Sequence, residues 1–122
     1  EVRVVDYKTG KKPLPRYSQD AQFQMRFYAL VYWRILGTIP HQLRLMYLKV
    51  LDSMFLTPNR EELEYFERDL GQLWAKIEAD GRAGDFRPKR SKLCDWCAHQ
   101  AICPEFGGTP PEYPGWPGSA AD

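Results

Sequence analysis

Hydrophobic and polar positions change their spacing several times along this chain, and each change marks an element. Glu1 to Tyr7 contains the run Val2-Arg3-Val4-Val5 and predicts a strand, its valines suggesting burial on both faces. Thr9 to Asp20 is rich in lysine, carries Pro13 and Pro15, and predicts a loop. Between Ala21 and Leu36 the apolar residues Phe23, Met25, Phe27, Leu30, Val31, Trp33 and Ile35 surround most of a helical cylinder. A helix packed on more than one side is expected there. Ser18 or Asp20 would cap its start, and Gly37 its end.

Gln42 to Leu51 predicts a second strand, with Asp52-Ser53 turning it into a partner over Met54 to Leu56. Thr57-Pro58-Asn59 then reads as a helix start, with a capping group and Pro58 in the first turn. Leu63, Phe66, Leu70, Leu73 and Ile77 follow at spacings of three and four, which predicts an amphipathic helix ending near Gly81. From Arg82 the chain is irregular and basic until it reaches a cysteine segment over 94–103. Nine of the nineteen residues after Cys103 are Pro or Gly. Residues 107–122 are therefore expected as a tail, lying on the surface or disordered, and residues 1–106 as the folded part. The order β-α-β-β-α suggests an α/β sandwich whose first strands are missing.

Composition alters this picture little. A chain of 122 residues is enough for one domain with a small core. Its 43% hydrophobic and 14% aromatic content argues for a folded protein. The formal charge of +1 does not announce a polyanionic partner. Local clusters are more suggestive: Lys8, Lys11, Lys12 and Arg16 early, and Arg87, Lys89, Arg90 and Lys92 late. No apolar run approaches the roughly 18 residues of a membrane span, so no membrane partner is expected. No secretory signal is visible. The chain opens with Glu1 inside a strand and without an initiator Met, which suggests a fragment or trimmed product.

Three patterns carry chemistry. Asp6-Tyr7-Lys8-Thr9-Gly10 places a carboxylate and an ammonium two residues apart at a strand end, hence on one face. A metal-binding carboxylate beside a fixed cation is what phosphodiester hydrolysis requires. Gln24 and Tyr28, four apart on a helix, also share a face and could orient a catalytic group or contact a phosphate. All three cysteines fall within ten residues as Cys94-x2-Cys97-x5-Cys103. An odd number in one short loop favours a metal or cluster over a disulfide framework. Three thiolates are one short of the usual [4Fe–4S] set; His99 would complete a Cys3His zinc site, although it sits close to Cys97 for both to bind one ion.

In this order, over residues 1 to 106, the three patterns resemble the RecB-type branch of the PD-(D/E)XK nucleases. The likeness is to the stand-alone RecB-family exonucleases of bacteria, with relatives in the AddB subunit and in CRISPR-associated nucleases. It implies the C-terminal portion of a restriction-endonuclease-like α/β fold with a cysteine-bound C-terminal loop. It also implies a metal-dependent DNA exonuclease of DNA repair or recombination, cytoplasmic and bacterial, with DNA as substrate and a possible helicase or recombination partner.

Matched residue by residue, Asp6 is the metal-ligating acid, Tyr7 lends a backbone carbonyl to Mg2+ or Mn2+, and Lys8 is the catalytic lysine. Gln24 and Tyr28 match the helical motif that supports the site, and Cys94, Cys97 and Cys103 match the last three ligands of an iron–sulfur cluster. The family's second metal-binding Asp, an earlier His or Glu ligand and the fourth cysteine have no counterpart here. These 122 residues are therefore expected to have little activity by themselves, and to expose a sheet edge that favours dimerisation or a partner chain. The competing reading is a non-catalytic DNA-binding or scaffolding module folded around an iron–sulfur or zinc site. A redox protein is a distant third, since the cysteine loop lacks a partner redox motif.

Overall fold

A computed structural model of the chain describes residues 1–118. It divides into a unit over residues 1–71, which contains the sheet, and a second unit from Gln72 onward. The elements are β1 (Arg3–Lys8), α1 (Gln19–Leu36), β2 (Gln42–Tyr47), β3 (Asp52–Leu56) and α2 (Arg60–Ala83), with short 3-10 turns at Pro15–Tyr17, Lys92–Trp96, Gln100–Ile102 and Pro104–Phe106. Helix α2 contributes its first half to one unit and its second half to the other.

The order β-α-β-β-α agrees with the sequence reading, and the fold is the expected α/β class. β1 runs parallel to β2, from Arg3 opposite Gln42 to Lys8 opposite Tyr47. Parallel neighbours need a long crossover, and α1 is that crossover. β2 and β3 are antiparallel, from Leu43 opposite Leu56 to Tyr47 opposite Asp52. The sheet order β1-β2-β3 leaves β1 at an edge.

The core of the first unit follows from strand alternation. Leu43, Leu45 and Tyr47 leave β2 on one face and are buried against Met25, Ala29, Leu30 and Trp33 of α1 and Leu63 and Phe66 of α2. Val4, Met54 and Leu56 pack against the same cluster, so both helices cover one side of the sheet. Burying each of these large side chains stabilises the fold by about 1.5–3 kcal/mol. Gly37 ends α1 at φ 76°, where a Cβ would be strained, and its N–H donates to Trp33 O at 2.8 Å.

Several expectations need correction. β1 is not buried on both faces: exposure alternates along it, and Val5 is 41% exposed. As an edge strand with helices on one side only, it has nothing to cover its second face. For the same reason α1 packs on one side and leaves Phe23, Phe27, Val31 and Ile35 exposed. Ser18 occupies the N-cap position without capping; its hydroxyl donates to Pro15 O at 2.7 Å and so fixes the preceding turn.

β2 stops at Tyr47. The turn is Leu48–Leu51, with Leu51 at φ 51°, and Asp52-Ser53 already belongs to β3. Leu48, Val50 and Leu51 are apolar but exposed, so their strand-like composition was misleading. Tertiary bonds draw Asp52-Ser53 into the strand, because Lys12 Nζ reaches both Asp52 Oδ2 (2.7 Å) and Ser53 O (3.1 Å). Asn59 caps α2, accepting from Glu62 N–H at 2.9 Å, while Pro58 lies just before the helix and is buried.

The second unit is built differently. α2 ends at Ala83, near Gly81 as expected, and the left-handed residue that follows it is Gly84 (φ 67°). Gly81 is present for a packing reason: a Cβ on it would overlap the Trp116 ring. Residues 107–118 form no helix or strand, yet Tyr113 Oη donates to Gly81 O at 2.8 Å. The last four residues of the expected tail lie outside the described residues.

Candidate active site

The site forms at the end of β1, where strand alternation sends Val4, Asp6 and Lys8 toward the helix-covered face. Lys8 Nζ lies 2.8 Å from Asp6 Oδ2, with both side chains about one-third exposed or less. That oxygen is buried and has no hydrogen bond of good geometry among the described residues. It is therefore an acceptor shielded from water whose close partner is the Lys8 ammonium. The Lys8 ammonium is held above its ordinary value, first by contact with Asp6 and against some desolvation, with smaller contributions from Tyr28 and Tyr47. It is a fixed cation at neutral pH.

α1 brings the second pattern to the same place. Gln24 and Tyr28 share a helix face, and Gln24 Nε2 donates to Tyr28 Oη at 3.1 Å. The Tyr28 oxygen is thereby used as an acceptor, and its own proton remains available as a donor. Asp6 and Tyr28 line one cleft of about 560 Å3 together with Val4, Val5, Phe27 and Tyr32. Val2 O and Lys8 O accept from His41 N–H (2.8 Å) and Leu48 N–H (3.0 Å) on the β2 side. By the alternation of a parallel ladder, the Tyr7 carbonyl then falls on the open edge of β1.

The structure thus gathers Asp6, Lys8, Gln24 and Tyr28. The sequence reading missed Tyr47 and Tyr32. Tyr32 stands four residues beyond Tyr28 and was findable by helical spacing; Tyr47 joins only through the β1–β2 register, which no local pattern reveals.

The early basic cluster is partly committed to structure, since Lys8 and Lys12 are each paired with a carboxylate. Arg16 stacks over the Tyr17 ring at 4.9 Å. In the second unit Arg87 is paired with Asp85 and Arg90 stacks over Phe106. Less free positive charge remains than composition suggests.

Cys94, Cys97 and Cys103 are free thiols on a series of tight turns. Cys94 Sγ accepts from Ser91 N–H at 3.3 Å and Cys97 Sγ from His99 N–H at 3.4 Å. The Cys103 carbonyl accepts from both Phe106 and Gly108 N–H. Among the described residues, no three His, Cys, Asp or Glu side chains converge as metal ligands, the cysteines and His99 included. As placed, these thiols do not fit a cluster or a zinc ion.

The family model of the PD-(D/E)XK nuclease superfamily matches residues 1–104. The chain belongs to that superfamily. No curated protein and no solved structure matches it. Superfamily membership gives the site its chemistry: nuclease activity, with Mg2+ or Mn2+ as the typical ion and DNA as the indicated substrate. The Asp6 carboxylate and the Tyr7 carbonyl are oxygen donors of the kind such a hard cation takes. No described helix is long and apolar enough to cross a membrane.

Proposed function

We propose that this superfamily member is a RecB-type, metal-dependent DNA exonuclease acting in DNA repair or recombination in the bacterial cytoplasm. The observation that carries this reading is the half-buried Asp6 carboxylate, which has one oxygen shielded from water and ion-paired to Lys8 at 2.8 Å, in a cleft that Tyr28 also lines. Asp6 and the Tyr7 carbonyl would hold Mg2+ or Mn2+. When bound, that ion supplies Lewis-acid polarisation of a phosphate oxygen and acidifies a nearby water. Lys8, cationic at neutral pH, places a hydrogen-bond donor where negative charge accumulates on the phosphoryl group. Gln24 donates to the Tyr28 oxygen, which leaves the phenol proton free to be given to a phosphate oxygen. Lys11 and Arg16 would follow the DNA backbone without reading bases.

One carboxylate is a poor cage for a divalent cation. We infer that further acidic ligands come from outside these 122 residues, in the same polypeptide or a partner, and that the 122 residues alone cleave DNA weakly. The open edge of β1 is a natural place for such a strand, for a second copy or for a helicase-associated subunit to add. The cysteine spacing is the support for an iron–sulfur segment, and visible charge-transfer absorption in protein prepared without oxygen tests it.

The decisive experiment measures DNA degradation by the protein at its full natural length, with Mg2+ or Mn2+ and after chelation. Metal-dependent cleavage that Lys8→Ala abolishes while folding survives supports the reading; wild-type cleavage by Lys8→Ala overturns it. The competing reading is a DNA-binding or scaffolding module without catalysis. DNA binding with no metal-dependent cleavage at full length would establish that alternative.

A further inference from the structure

The cysteine segment lies between two parts of the chain that meet each other. Phe86, just after α2, and Tyr113 form an edge-to-face ring pair with centroids 5.0 Å apart. Tyr113 Oη donates to the Gly81 carbonyl at 2.8 Å, and its ring passes 3.1 Å from where a Cβ on Gly84 would lie. Three residues on, the Trp116 ring occupies the space left by the missing Gly81 side chain and stands 6.3 Å from Trp74, seven residues earlier on α2. The motif Tyr113-Pro114-Gly115-Trp116 therefore grips the last turns of α2 at two aromatic points.

Everything from Arg87 to Glu112, with all three cysteines, is the loop closed by this grip. Loop closure is the role a bound metal or cluster would otherwise serve, because either device removes the entropy of holding the loop ends together. Inside the loop the backbone is already organised without an ion. Ser91 caps the first turn, accepting from Leu93 N–H at 3.2 Å, Gln100 Nε2 donates to Cys94 O, and Gly108 N–H donates to Cys103 O at 2.9 Å. Gly108 is needed there, since a Cβ would run into the Ala101 carbonyl. The three thiols, by contrast, do not converge.

We propose that the C-terminal lobe is closed by a Tyr113–Trp116 aromatic clasp on α2, and that the lobe keeps its fold whether or not its cysteines hold an ion or cluster. Gly81 and Gly84 are the seat of this clasp. Their bareness reflects two rings packed onto the helix end. The inference does not depend on the nuclease reading, and its test needs no activity.

The test is backbone hydrogen exchange across residues 86–113 in the complete protein, after exhaustive treatment with a chelator. Trp116→Ala and Gly81→Val should each raise exchange in this segment at least tenfold, while a Cys94→Ser, Cys97→Ser, Cys103→Ser variant should change it less than twofold. Exchange over residues 42–56 of the sheet serves as the internal reference for folding. If Gly81→Val disturbs α2 itself, Trp116→Ala and Tyr113→Phe carry the test without touching the helix. The proposal fails if the triple serine variant, or chelation alone, opens the segment as far as Trp116→Ala does. It fails equally if Trp116→Ala leaves exchange unchanged.

Discussion

The sheet unit and the C-terminal lobe hold their chemically important side chains in opposite ways. In the sheet unit, Asp6 and Lys8 ride on a strand and Gln24 and Tyr28 on a helix, over a core in which Met25, Ala29, Leu43, Leu45 and Leu63 are fully buried. Regular geometry sets their spacing, and buried Leu, Met and Trp side chains keep the elements from shifting. In the lobe there is no comparable core among the described residues, and Trp96 is 86% exposed. Its cysteines are placed by capping bonds and 3-10 turns, closed by two aromatic contacts. A carboxylate that must point at a phosphate needs the first kind of support. A segment whose thiols are half-buried or exposed can persist on the second.

The largest expected difference between the two regions is in catalysis. Lys8→Ala in the full-length protein should lower DNA cleavage by at least ~10²–10³-fold, the usual loss for a preorganised donor at developing negative charge. Cys97→Ser should change the rate far less, because its thiol sits in a lobe that stands without it. Rates measured under saturating Mg2+ or Mn2+ decide this. Equal losses would show that the two regions are catalytically coupled and would weaken the contrast drawn above.

Stability should separate them next. Leu45→Ala empties a site at 1% exposure and should cost about 2–5 kcal/mol by chemical denaturation. Substituting exposed Trp96 by Ala should stay within about 0.5 kcal/mol. Between these lies Asn59→Ala, which removes the cap on Glu62 N–H and should cost about 1 kcal/mol. An Asn59→Ser variant should recover most of that loss.

The same contrast explains what could be read from the chain beforehand. The order β-α-β-β-α, the Gly37 stop and the shared faces of Asp6 with Lys8 and Gln24 with Tyr28 all follow from period and spacing within one element. The misreadings occur where distant contacts overrule local preference. Asp52-Ser53 looks like a turn but is held in β3 by Lys12, forty positions away in sequence. Gly81 does mark the neighbourhood of the helix end, but its second role as a seat for Trp116 has no local signal. Tyr47 has no local signal at all and joins Lys8 only because β1 and β2 are in register. Burial of β1 on both faces was inferred from valines, and sequence alone does not tell whether a second layer exists to cover them.

Acid titration offers the smallest and most discriminating test. Asp52 and Asp85 both have carboxyls held below the ordinary value, the first mainly by Lys12 with help from Ser53 N–H, the second mainly by Arg87. A carboxylate whose native pKa is depressed stabilises the fold above its unfolded pKa, near 3.8, and that contribution disappears as pH falls through the lower native value. The two pairs differ in what unfolding does to them. Lys12 and Asp52 are brought together only by folding, so their attraction counts toward stability, reduced by solvent screening of an exposed pair. Asp85 and Arg87 are two residues apart, and an unfolded chain retains much of their attraction, so little of the shift counts. Asp52→Asn should therefore flatten the loss of stability between about pH 5 and about pH 2, while Asp85→Asn should leave that slope as it is. Urea midpoints across this range measure both slopes. If Asp85→Asn flattened the acid limb as much as Asp52→Asn, the lobe would have to be held by ion pairs formed on folding, contrary to the clasp and turns described for it.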